Sequence, residues 1–77
     1  MKRPLHEIAT DICITWGQKV SQHALPYLRA MARLRTVQDS YGADDGRSVV
    51  LYFLCNAQGF RGPRAKELKN ELKEHLA

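Results

Sequence analysis

The sequence predicts an all-α fold, a compact four-helix domain in which an apolar third helix is enclosed by the other three. Three observations lead there. Apolar residues recur at three- and four-residue spacings in the first, second and last segments. A run of seven apolar residues, Val49 to Cys55, lies between two loops rich in Gly, Asp and Asn. The chain has 77 residues, 44% apolar and 26% charged, which suits one globular domain spanning residues 1–77.

The elements follow in order. Leu5, Ile8, Ile12 and Trp16 lie on one face of a helix that begins near Pro4 and ends or bends at Gly17. Ser21, Gln22 and His23 break the chain, and Pro26 suits the first turn of a second helix. There Tyr27, Leu28, Met31 and Leu34 share one side, while Arg29, Arg33 and Thr36 cluster on the opposite one. Asp44 or Asp45 can cap the third helix, which holds the apolar run and closes at Gly59. A segment apolar on every side needs cover on every side, so this helix is expected at the centre and Leu51→Asp is expected to unfold the domain. The run is also rich in β-favouring Val, Tyr and Phe, and an α+β fold is the alternative if it is a strand. Gly62-Pro63 opens the fourth helix, whose narrow apolar stripe is Ala65, Leu68, Leu72 and Leu76. Leu5, Ile8, Ile12, Trp16, Leu28, Met31, Leu34, Leu68 and Leu72 should complete the core.

Net charge is +4, unevenly placed. Residues 1–37 carry six Lys/Arg against Glu7 and Asp11, whereas residues 38–77 carry six of each sign. No acid occurs between Ile12 and Gln38, which points to an acidic partner. Cys13 and Cys55 lie in apolar segments and read as buried thiols in a reducing compartment. Glu7 and Asp11 interrupt what would be the apolar part of a signal peptide, and no run approaches membrane-spanning length, so a cytoplasmic protein is expected.

No catalytic, metal or cofactor site is expected. The cysteines have no partner at metal-ligand spacing, Asp44-Asp45-Gly46 lacks the ligands of a calcium loop, and no phosphate-loop or nucleophile-elbow pattern occurs. Glu71 and His75, four apart, read as a minor surface pair. Two candidate surfaces remain. On the fourth helix Lys66, Lys69 and Lys73 flank the apolar stripe on one side, and Glu67, Glu71 and Glu74 on the other. Two such helices crossing antiparallel would match Lys edge to Glu edge, a homodimer surface formed by Lys66, Glu67, Lys69, Glu71, Leu72, Lys73 and Leu76. The second surface is basic: Arg29, Arg33 and Arg35, with Arg61 and Arg64 of Phe60-Arg61-Gly62-Pro63-Arg64, as anion or nucleic-acid contacts. Arg61 and Arg64 oppose the helix macrodipole and call for compensation, either by an external anion or by Asp39, Asp44 or Asp45 reaching back.

Trp16-Gly17, Leu25-Pro26-Tyr27, Asp39-Ser40-Tyr41-Gly42, Tyr52 to Ala57 and Phe60-Arg61-Gly62 together resemble small uncharacterised proteins of bacteriophages and prophages. That resemblance implies a bacterial cytoplasm and an accessory role in phage or mobile-element biology, and it carries no site residue. The sequence therefore leads to a non-enzymatic protein–protein interaction module, self-associating or binding another protein. The alternative is a nucleic-acid-binding accessory protein that uses the basic residues.

Overall fold

The computed structural model describes residues 3–42 and 44–77. Helix α1, Leu5–Trp16, buries Leu5, Ile8, Ala9, Ile12 and Trp16. Its first N–H, that of Leu5, donates to the carbonyl of Arg35 at 2.8 Å, so one of the unpaired donors of the first turn is satisfied by a distant loop. The helix stops at Gly17, whose φ of +61° only glycine adopts freely. After a 3₁₀ turn over Gly17–Lys19, the Ser21 hydroxyl accepts from the Ala24 N–H at 3.1 Å and starts α2, Leu25–Met31, with Pro26 in its first turn.

Helix α2 is shorter than its sequence suggests. The residues after Met31 are good helix formers, yet the chain turns there. The Asp39 carboxylate accepts from the N–H groups of Arg35 (2.9 Å) and Thr36 (3.3 Å), offering the backbone a partner other than the helix. Leu34 is thereby turned into the core. Arg33 and Thr36 consequently lie beyond the helix, and the basic face expected with Arg29 does not form.

A two-residue antiparallel pair follows, β1 (Ser40–Tyr41) with β2 (Asp44–Asp45), Ser40 opposite Asp45. It delivers Asp45 as the cap of α3, Gly46–Cys55, where the carboxylate accepts from the Ser48 N–H at 2.7 Å. Gly46 is buried against backbone: a Cβ there would stand 2.7 Å from the Thr36 carbonyl oxygen and 2.8 Å from the Val37 Cα. Helix α3 ends at Asn56, before Gly59. Gly62, with φ +111°, then hands the chain to α4, Pro63–Leu76.

The apolar run is a helix, and the protein is all-α. It is not enclosed. Helix α1 packs chiefly on α4 and α2, and α3 chiefly on α2 and α4, so every helix keeps an outward face and none is central. Val49, Val50 and Phe53 are buried, but Leu51 is 46% and Tyr52 52% exposed. The seven-residue α2 is too short to cover both sides of α3. Cys13 and Cys55, expected in the core, are exposed as well. The remaining core residues read from the sequence are all buried, joined by Ala24, Ala57, Phe60 and Ala65.

Phe53→Ala should cost about 3–5 kcal/mol in chemical denaturation, as large-to-small changes at buried aromatic positions do. Leu51→Asp, in contrast, should shift stability by less than about 1 kcal/mol, since the carboxylate stays in water. Both thiols should react with a thiol reagent in the native protein, without a denaturant-dependent lag.

Candidate anion-binding groove

The core determines where the charged side chains of α4 can go. Leu68 and Leu72 are fully buried and turn the apolar stripe inward, with Leu76 half-buried at its end. The seam proposed for pairing with a second copy is thus used inside the domain, and Leu72 offers no surface. The two flanks of the helix then face different surroundings.

Two of the three glutamates on the acidic flank, Glu67 and Glu71, are held by arginines, and exposed Glu74 makes no ion pair among the described residues. Arg3 makes a bidentate pair with Glu71, Nε to Oε1 at 2.7 Å and Nη2 to Oε2 at 2.8 Å, and its Nη1 donates to Asp11 Oδ2 at 2.7 Å. Arg64 donates to the same Asp11 oxygen at 3.0 Å and to Glu67 at 3.5 Å. Arg64 is therefore compensated internally, by Asp11 and Glu67 and not by the aspartates of the 39–45 loop, of which Asp39 and Asp45 serve as backbone caps. His75 is buried at the same end, its Nε2–H donating to the Arg3 carbonyl at 2.7 Å. Glu71 and His75 both hold residue 3, which their spacing alone does not suggest.

The opposite flank is a groove of about 340 Å³ lined by Phe60, Arg61, Gly62, Lys66, Lys69, Asn70 and Lys73. Four of these are cations and none is an acid. Phe60 forms its inner wall, stacked on Trp16 with ring centroids 4.9 Å apart, and Trp16 meets Phe53 edge-on at 6.2 Å. Lys69 Nζ lies 5.8 Å from the Phe60 ring centroid. Arg61 is held by a bond from Nε to the Gln58 carbonyl at 3.2 Å, which leaves its Nη groups free to turn toward the groove. Partial burial, and then repulsion from Lys73 and Arg61, lower the Lys69 pKa below that of an ordinary lysine. The groove is thus a place where positive charge is concentrated and unmatched.

The other arginines of the sequence reading are dispersed. Arg35 lines a larger cleft of about 490 Å³ together with Arg3, Arg47 and His75. There Arg3 is occupied by its carboxylates, and Arg47 Nη1 donates to the Leu76 carbonyl at 3.0 Å, at the C-terminal end of α4. Arg33 reaches only a shallow depression beside His6, and Arg29 is exposed on α2. Of the five arginines, Arg61 alone belongs to the groove. The three lysines that complete it were legible as one edge of α4, but the sequence did not join them to Arg61. Among the described residues no three His, Cys, Asp or Glu side chains converge as metal ligands, and no helix is long and apolar enough to cross a membrane. No protein-family model, curated protein or solved structure matches this chain.

The Arg3 bonds to Glu71 hold its carboxyl below the usual carboxylate range. A depressed folded-state pKa contributes stability above the unfolded value and loses it as pH falls through the folded one. Thermal melts should therefore lose stability below about pH 4, where free carboxylates titrate. Glu71→Gln should be less stable at neutral pH and show a flatter acid limb, the difference from the parent shrinking as pH falls.

Proposed function

We propose that this chain is a non-enzymatic accessory module that binds a polyanion, nucleic acid foremost, through the groove of Arg61, Lys66, Lys69 and Lys73. The supporting observation is four cations around one groove without an acid in its lining, while Glu71 and Asp11 on the other side of the helix are engaged by Arg3 and Arg64. Binding is electrostatic: phosphates release their condensed counterions as lysine and arginine neutralise them, so affinity falls steeply with salt. A phage or mobile-element origin, as the sequence resemblance implies, and a bacterial cytoplasm belong to the same reading.

A second reading, protein–protein interaction, rests on a different observation. The outer face of α3 presents Leu51 and Tyr52, next to Tyr27, whose ring centroid is 5.5 Å from that of Tyr52. It is the adjacency of these side chains, not the exposure of any one of them, that suits a docking face. A self-association or host-protein contact is better placed there than on α4, whose seam is buried.

Fluorescence anisotropy with a labelled random-sequence DNA duplex tests the first reading. Micromolar affinity at low salt is expected, weakening as salt rises. Lys66→Glu/Lys73→Glu should weaken binding by about tenfold or more, and Arg29→Glu/Arg33→Glu by only about twofold, since the latter pair affects the general field and not the groove. Equal losses in the two variants would refute the groove as the site.

A further inference from the structure

We infer that the groove takes the phosphodiester backbone of a nucleic-acid duplex, laid along α4 and held without base contacts. This deepens the polyanion reading above and rests on it. Three features of the groove support it. The first is its linearity. Lys66, Lys69 and Lys73 are three and four residues apart on one edge of α4, so their attachment points advance by about 4.5 and 6 Å along the axis. Arg61 continues the row beyond the helix start. The lysines span about 10 Å, the axial length over which one duplex strand presents about three phosphates. A single small anion would meet only part of such a row, whereas a backbone meets all of it.

The second feature is that the aromatic side chains are closed off. Phe60 is 3% and Trp16 7% exposed, and each covers a face of the other. Single-strand binders gain affinity by stacking bases on exposed rings, and this groove offers no ring face. The exposed Tyr52 belongs to α3 and does not line the groove. The third is the poverty of the lining in groups that read bases. Asn70 is its one neutral side chain with both a donor and an acceptor, too few to read a sequence. With stacking and base reading both absent, charge density decides, and a duplex carries more charge per length than a single strand.

The test compares the intact protein's binding to a labelled duplex of about 20 base pairs, oligothymidine of equal length and poly-glutamate, at low and rising salt. The duplex should bind about tenfold tighter than oligothymidine, with a log–log salt slope of about −3 to −4 for four contacts. Lys66→Gln/Lys73→Gln, two exposed positions, should reduce that slope by about 2 while circular dichroism shows an unchanged melt. The fluorescence of Trp16, the sole tryptophan, should not be quenched by oligothymidine. Single strands binding as tightly as duplex, or quenching Trp16, would overturn the duplex assignment. Poly-glutamate competing as well as duplex would overturn the nucleic-acid assignment and leave the polyanion reading standing. Failure of all three ligands at low salt would overturn both.

Discussion

Everything about the charged surface of this domain depends on how α4 seats its apolar stripe. Leu68 and Leu72 must be buried if so short a chain is to have a core, and α1 is the principal packing neighbour of α4. Once that contact is made, the rotation of α4 about its axis is fixed, and its two flanks face opposite ways. The acidic flank meets Arg3, Arg64 and Asp11. The basic flank meets Phe60 and the Arg61 loop. Residues 38–77 carry equal numbers of positive and negative side chains. Residue spacing along α4 already sorts the two signs onto different edges, and packing sets the basic edge beside the Phe60–Arg61 loop, where a neutral stretch of sequence acquires a basic groove.

The aromatic cluster ties this face to the core. Trp16 ends α1, Phe53 belongs to α3, and Phe60 sits in the loop before α4, so three elements meet through three rings. Phe60 is therefore both a core residue and the wall of the groove. That double duty places Arg61, next in the chain, at the groove's end, and it gives Lys69 a ring to lie against. It also removes the rings from any role in stacking on a ligand, because each is covered by another.

The outer face of α3 is the cost of building four helices from so few residues. The ring-like order α1, α2, α3, α4 gives every helix two principal neighbours and one solvent face. For α1 and α4 that face is largely polar, although Ile14 of α1 is 76% exposed. For α3 it includes Leu51 and Tyr52. An apolar run does not by itself make a helix central; the available cover does, and the seven-residue α2 is short.

Read alone, the sequence favoured the all-α class, with an α+β fold open only through Val49–Cys55, and it determined the helix starts at Pro26 and Gly62-Pro63, the break at Gly17 and the cap from the Asp44-Asp45 pair. These are local effects of proline geometry, glycine freedom and side-chain capping, and the residues that produce them are their own evidence. It also determined most of the core, since helical spacing marks the inward stripe wherever one face is polar. Where no face was polar, as in Val49 to Cys55, spacing held no information about direction, and the exposure of Leu51, Tyr52 and Cys55 was decided by which neighbours exist. The early end of α2 belongs to the tertiary level too, because Asp39 returns from beyond the turn to bond the N–H groups of Arg35 and Thr36. So does the groove. Lys66, Lys69 and Lys73 were visible as an edge, but their union with Phe60 and Arg61 in one groove depends on the packing that sets Phe60 against Trp16 beside that edge.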